Sequence, residues 1–438
     1  MESRKVNENL IREFQTVGQV LLQNDLEDSH SGNIALRFRN GKGEEQIVIT
    51  ASGSQKGDLK AEDICLISAR EPSSGHFRAS FETDIHARIL SVEGVEASIH
   101  SHPKELTILT LEEEKSVGKP APFIPLDPLG FYYLKGEIPV DRLEVQSGTS
   151  EAKRLIPERL STYPATIIQS HGVFARGRNL REALFYTCIA ANSGYIGLLA
   201  ERQRINVGRI RERIRDDPDS CFSFPPEEYS IDDDGRCDFS QEEWYVAEFR
   251  RTGARIFESR LSPFYTGSIS VRGVRSLLYA PKASMPRELR GPLLELPLLL
   301  EESDSAQLRI HKEIYRKSSF QAVLHCYLPE GEAHAHFIYP GERKPLKNII
   351  AIDTEGNFIQ PVIPVVDPVI SSEALIKLLQ DYRVVVVRGG GVWAAGFYSL
   401  SEVLHLCSLV REICLYRIGA FERGLDLKRL EQDLMRKK

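Results

Sequence analysis

The chain states one pattern twice. VFARGRNLREAL begins at Val173 and VWAAGFYSLSEVL at Val392. Each is a short apolar run, a glycine turn, and a stretch whose apolar residues recur at helical spacing: Leu180, Leu184, Cys188 and Ala191, then Leu400, Leu404, Cys407 and Val410. Asn179 with Glu182, and Ser399 with Glu402, place a capping side chain three residues ahead of a glutamate. That is a capping box, which satisfies two orphan amide donors at a helix start. Upstream the register holds. SGNIALR (31–37) matches TGSISVR (266–272), ETDIHARIL (82–90) matches QLRIHKEIY (307–315), and VEASIHSHP (95–103) matches FQAVLHCYLP (320–329). Glu82 and His100 are 18 positions apart, as are Gln307 and His325.

A period this long is no solenoid repeat. It predicts two related domains in tandem, over 1–214 and 241–438, joined by a linker over 215–240 that is rich in Asp, Pro, Ser and Gly. A length of 438 residues suits two domains. Strand-like segments such as IVIT, ASIH, TIIQSH and VVVVR alternate with amphipathic helices, so each half is read as an α/β layered domain around a buried sheet.

Composition removes several function classes. The formal net charge is −6, and neither half carries the clustered basic face that phosphate-backbone binding requires, so nucleic acid is not an expected partner. Residues 201–218 alternate in sign and read as a solvated helix end. No apolar run reaches membrane-span length; the greasiest, LLELPLLL (293–300), is short and broken by Glu295 and Pro297. The start, MESRKVNENLIREF, has no apolar core of a signal peptide and resembles an amphipathic helix. Seven cysteines with no CxxC pair indicate free buried thiols in a reducing cytoplasm, which is the expected location.

His100 and His102 lie one residue apart at the end of an apolar run. On a strand, residues i and i+2 point to the same side, about 6.6 Å apart, so two imidazoles placed this way can converge on one ion. A third histidine, His171, closes the strand-like TIIQSH and is followed by Gly172, read as allowing a sharp turn. Glu82 lies upstream of the pair, before a helix. Three histidines and a carboxylate make a metal site with a replaceable position. The second half serves as an internal control. There Gln307 stands for Glu82, Tyr327 for His102 and Gly390 for His171, and only His325 remains opposite His100. Joint loss of three positions is expected of one functional unit, so the second half is expected to be metal-free.

SGNIALRF, ITASG, SFETDIH, IHSHP and QSHG followed by NLREAL occur in the order and spacing that resemble the class II aldolase/adducin family. The second half resembles the same family in degenerate form. The resemblance implies an α/β/α sandwich around a mainly antiparallel central sheet in each half. It implies a divalent ion, usually Zn2+ with Mn2+ as an alternative, on His100, His102 and His171. It also implies that Glu82 acts as acid/base and can ligate the resting metal. Substrate phosphate is held in such enzymes by positions matching Ser31, Gly32, Asn33, Ser52, Gly53 and Ser80, small residues that let amide donors approach an anion. Phe81 departs from the pattern, since many members carry a second serine there.

The chemistry so implied is retro-aldol cleavage of a small hydroxy-carbonyl or sugar-phosphate-like substrate through an enediolate, with Glu82 shuttling the proton from among apolar walls that raise its pKa. Epimerisation or dehydration of a sugar phosphate, or an adducin-like non-enzymatic role, are the alternatives. A homo-oligomer, a dimer of tandem chains making a four-domain ring, is the expected assembly. His86, matched by His311, is read as structural. His334 and His336 in EAHAHF are read as an exposed loop, His30 and His76 lack partners at ligand spacing, and Tyr132 and Tyr133 are assigned to packing.

Overall fold

The computed structural model describes residues 7–28, 30–39, 43–68, 79–112, 120–144, 149–222, 243–289 and 291–435. His76 and most of the expected linker lie outside them. The chain forms two compact units, residues 1–125 with 130–194, and residues 126–129 with 195–438.

The first unit opens with α1 (Glu8–Gln23), whose start is capped by the Asn7 side chain. There follow β1 (Asn33–Arg39), β2 (Glu45–Thr50), β3 (Ile64–Ser68), α2 (Thr83–Leu90), β4 (Ala97–Ser101), α3 (Lys104–Leu109), α4 (Pro128–Tyr133), β5 (Val140–Asp141), α5 (Ser150–Thr162), β6 (Ala165–Ile168), β7 (Gly172–Gly177) and α6 (Leu180–Arg202). The seven strands form one sheet in the order β3-β2-β1-β4-β7-β6-β5, antiparallel throughout except between β5 and β6. Ile85 and Ile89 of α2 and Ile156 and Leu160 of α5 pack with Ala35, Ile49 and Phe174 of the sheet. Each fully buried apolar side chain of this kind contributes roughly 1.5–3 kcal/mol relative to exposure.

The second unit continues through α7 (Val207–Asp216), α8 (Glu243–Glu258), β8 (Ser268–Arg272), β9 (Ser276–Ala280), β10 (Leu294–Pro297), α9 (Ala306–Lys317), β11 (Ala322–Cys326), α10 (Pro329–Ala335), β12 (Asn348–Ile350), α11 (Thr354–Ile359), β13 (Val362–Val366), α12 (Ser372–Tyr382), β14 (Val384–Val387), β15 (Gly391–Gly396), α13 (Leu400–Glu422) and α14 (Leu427–Met435). Its eight-stranded sheet runs β10-β9-β8-β11-β15-β14-β13-β12, and only β13 and β14 are parallel neighbours. The pleat sends alternate residues to two cores. Val384 and Val386 pack with Leu400, Val403 and Val410 of α13, while Val385 and Val387 pack with Leu375 and Leu379 of α12. This is the expected sandwich of helices on both faces of a mainly antiparallel sheet.

The repeat is written into strand register. Asn33 of β1 and Phe174 of β7 flank His100 on β4; Ser268 of β8 and Trp393 of β15 flank His325 on β11. The caps also agree. Glu182 N donates to Asn179 Oδ1 at 2.9 Å and Glu402 N to Ser399 Oγ at 3.3 Å. In both halves the glutamate returns one residue earlier than a capping box would, to Arg178 N at 2.5 Å and Tyr398 N at 2.8 Å.

Two expectations are corrected. α6, 23 residues long, is apolar and long enough to cross a membrane, although interspersed polar residues leave it no continuous apolar run; 78% of its most apolar window is buried inside the fold. EAHAHF is no exposed loop. It falls on α10, where His334 is fully buried and accepts from Arg417 Nε at 2.7 Å.

Candidate metal centre

His100 comes one residue before the end of β4, and its ring lies flat on Phe174 of the neighbouring strand, centroids 4.0 Å apart. Its Nδ1 lies 3.0 Å from Val173 O, a carbonyl that can only accept. The proton is thereby assigned to Nδ1, and the Nε2 lone pair is left facing His171 Nε2 at 3.3 Å. His102 follows the strand end and is anchored by its own N–H, which donates to Leu26 O at 2.9 Å. His171 sits in the turn between β6 and β7. The turn's positive φ belongs to Ser170 (+58°), so Gly172 does a different job from the one its sequence position suggested. A Cβ there would stand 2.6 Å from His102 Cδ2, 3.0 Å from His100 Cε1 and 2.4 Å from Ser101 O. Only glycine lets β7 pass this close behind the two rings.

One ring nitrogen from each of His100, His102 and His171 falls within 4.8 Å of the others. Burial, reinforced by the neighbouring imidazoles, holds His100 well below the usual histidine pKa. Burial and His102 together bring His171 down to about 4. For His102, burial acts in the same sense but is outweighed by the hydrogen bond and charge of Glu27, which leave it raised. His100 and His171, held toward the neutral form, keep lone pairs available in this cluster. The donor set, three imidazoles, suits a borderline divalent cation.

Glu82, 6% exposed, stands at the start of α2 with Oε2 3.6 Å from His100 Nε2. Asn33 Nδ2 donates to that oxygen at 3.0 Å and to Ser80 Oγ at 2.9 Å. Asn33 Oδ1 in turn accepts from Nε2 of His86, whose Nδ1 meets Ser98 Oγ at 2.6 Å. The surroundings of Glu82 are therefore polar, not the apolar walls anticipated from the sequence. Gly32, Asn33, Ser52, Gly53, Ser80 and Glu82 line one cavity of about 210 Å³ with the three histidines, joined by His30 and Phe81. Ser31 does not line it; its hydroxyl donates to Glu27 Oε2 at 2.9 Å. Tyr132 and Tyr133 are elsewhere, the latter edge-on to Phe185 at 4.8 Å.

The sequence profile of the Class II Aldolase and Adducin N-terminal domain matches residues 12–195 and, a second time, residues 247–418. The chain belongs to that family. Among curated relatives, a methylthioribulose-1-phosphate dehydratase of Granulibacter bethesdensis is 30% identical over 167 residues, covering 35% of this chain and 74% of the relative. A 5-methylthioribulose-1-phosphate/5-deoxyribulose-1-phosphate aldolase of Rhodospirillum rubrum is 27% identical over 159 residues, 35% of this chain and 64% of the relative. Among solved structures, the L-fuculose-1-phosphate aldolase of Thermus thermophilus superposes with a TM-score of 0.40 at 28% identity, over 45% of this chain and 97% of that one.

Within this class II aldolase-family chain the second copy has rewired the equivalent positions. His325 lies on Trp393 as His100 lies on Phe174, centroids 4.2 Å apart. Its Nε2, however, donates to Gly390 O at 2.8 Å, so the nitrogen that would face an ion carries the proton. Gln307 Nε2 donates to Tyr327 Oη at 2.7 Å. The residues that replace Glu82, His102 and His171 thus bond to one another or to what remains. One residue of the first copy escaped the sequence reading. Glu27 has no exposed side-chain surface, and its Oε2 is 3.4 Å from His102 Nδ1. Its signal was present but unread: in the repeat it stands opposite Ser262, a carboxylate facing a hydroxyl.

Proposed function

We propose that the first half, over 1–214, is a divalent-metal-dependent lyase acting on a small hydroxy-carbonyl or sugar-phosphate-like substrate, and that the half over 241–438 beyond the linker is a metal-free pseudo-domain. The reading rests on one observation: the nitrogens of His100, His102 and His171 converge beside a carboxylate that is not needed to complete the cluster. His100, His102 and His171 would hold the ion, Zn2+ before Mn2+ because all three donors are imidazole nitrogen. When bound, a divalent ion supplies Lewis acidity toward the oxygens of a hydroxy-carbonyl compound.

The chain's own groups do the rest. Glu82 moves the proton, taking it from the substrate hydroxyl as the carbon–carbon bond breaks and returning it to the carbon left electron-rich. Asn33, fixed from behind by His86, holds the Glu82 carboxylate in one orientation. Gly32, Ser52, Gly53 and Ser80 offer an anionic end of the substrate a floor of small residues; around Gly53, at φ +68°, no atom beyond its chain neighbours lies within 4 Å of where a Cβ would be. Phe81, 88% exposed, adds an apolar ring to the same cavity.

Dehydration is the second reading, favoured by the Granulibacter relative, a dehydratase by name. The same acid/base residue would serve, expelling water in place of an aldehyde. Incubating the zinc-loaded chain with ketose 1-phosphates and following products by NMR separates them. Aldol cleavage yields dihydroxyacetone phosphate and an aldehyde, and dehydration yields a dicarbonyl compound. His171→Ala is expected to lose both the ion, by elemental analysis, and turnover. A wild-type chain that purifies and reconstitutes without stoichiometric metal would leave the adducin-like, non-enzymatic account in its place. Light scattering on the same samples tests the expected dimer of tandem chains.

A further inference from the structure

We infer that Glu27 is the positioning residue of the metal centre: its carboxylate accepts from His102 Nδ1, fixes the tautomer that turns Nε2 toward the ion, and holds the ring in place. This rests on the reading of His102 as a ligand. Ligating histidines almost always have an acceptor behind them, because the hydrogen bond at the remote nitrogen decides which nitrogen keeps a lone pair; among the described residues His171 Nδ1 has none. For His100 that acceptor is a backbone carbonyl, Val173 O at 3.0 Å. For His102 it is Oε2 of Glu27 at 3.4 Å.

The site around Glu27 is built for a fixed carboxylate. Its side chain has no solvent exposure, a costly position for an acid without a partner. Ser31 Oγ donates to Oε2 at 2.9 Å, while Oε1 accepts no hydrogen bond among the described residues. The chain crosses directly above it at Gly32, where a Cβ would fall 1.8 Å from Oε1 and where φ is +68°. Gly32 therefore serves the carboxylate beneath it as well as the cavity above. Lys56 Nζ, the buried amine nearby, donates to Ser54 O at 2.9 Å, His30 O at 3.3 Å and Ser54 Oγ at 3.4 Å, and acts on Glu27 through its charge.

The second copy supplies the control. Ser262 and Thr266 occupy the places of Glu27 and Ser31, and their hydroxyls keep the contact at 2.9 Å. Ser262 Oγ also meets the residue in the place of His102, but it does so by accepting from the Tyr327 backbone N at 3.1 Å. The local scaffold survives. The carboxylate is absent in the one copy where the imidazole it would serve is also absent.

The test uses the full chain and Zn2+ or Co2+ alone. Glu27→Gln keeps the shape and weakens the acceptor; metal affinity, measured by competition with a chromogenic chelator, is expected to fall about 10–100-fold. The Co2+ ligand-field absorption should shift, while thermal unfolding of the metal-free chain stays where it was. In a His102→Ala background, Glu27→Gln is expected to cost nothing further. Ser31→Ala, which frees one carboxylate oxygen, should give a smaller loss that likewise vanishes without His102. Should Glu27→Gln fail to fold, the Ser31→Ala pair alone decides. Wild-type affinity and spectrum in Glu27→Gln would overturn the role, as would an equal loss in both backgrounds, which would mark a residue acting on the fold. A wild-type chain that binds neither ion would overturn the metal reading itself, a result distinct from either of these.

Discussion

His100 is clamped on three sides: Phe174 under its ring, Val173 O behind Nδ1, and Gly172 edge-on. The glycine is the least forgiving of these. Gly172→Ala should force the imidazoles apart, lower metal affinity by at least tenfold and leave the second unit's unfolding unchanged; chelator competition and calorimetry would measure both. Glu82→Gln is expected to keep the ion and to lose turnover by about 10²–10⁴-fold, the usual share of a general acid/base. Retention of activity would move the proton work elsewhere. The clustering of His100, His102 and His171 was legible in the sequence because strand periodicity puts His100 and His102 on one side, and because the second copy drops its counterparts together. Ser31 stands apart from the cavity residues it was grouped with, for a physical reason. A serine in a turn carries no sign of which way its hydroxyl points, and here it points toward a carboxylate that periodicity does not mark.

At the scale of elements, α2 and α9 carry matching histidines. His86 is bonded to Asn33 and Ser98, and His311 to Ser268 at 2.9 Å and Ser270 at 2.7 Å. Burial brings His86 down to about 3 and holds His311 well below the usual value. An unfolded chain protonates such a histidine near pH 6.5, long before the folded one does. The unfolded state therefore binds more protons below that point. The stability contributed by each neutral histidine is complete above pH 6.5 and drains away as pH falls toward the folded value, by up to about 1.4 kcal/mol per pH unit. Urea unfolding between pH 7.5 and 5 should show the midpoint dropping, less steeply in His311→Gln; an unchanged slope in that variant would contradict the assignment. The structural reading of these two residues was available from their persistence in both copies. The α10 histidines were misread because EAHAHF, taken alone, looks polar enough for a loop. Buried His334 is partnered by Arg417, from far along the chain, which no local pattern announces.

For the whole molecule, the repeat made the tandem order and an α/β layering readable from sequence, since strand, glycine and cap recur in register, while the α/β/α sandwich was implied by the family resemblance. What sequence could not reveal is how the second copy pairs the polar groups that stand at the places of Glu82, His102 and His171. Stoichiometry should be one ion per chain and not two, by elemental analysis of protein reconstituted with excess Zn2+. The Gln307–Tyr327 and His325–Gly390 contacts carry a consequence for history as well as for chemistry. The second copy answers the first copy's carboxylate and imidazole with an amide and a phenol that bond to each other, a contact that calls for no inorganic guest. On the function proposed above, duplication lets the second copy keep the shared shape without sharing the chemistry.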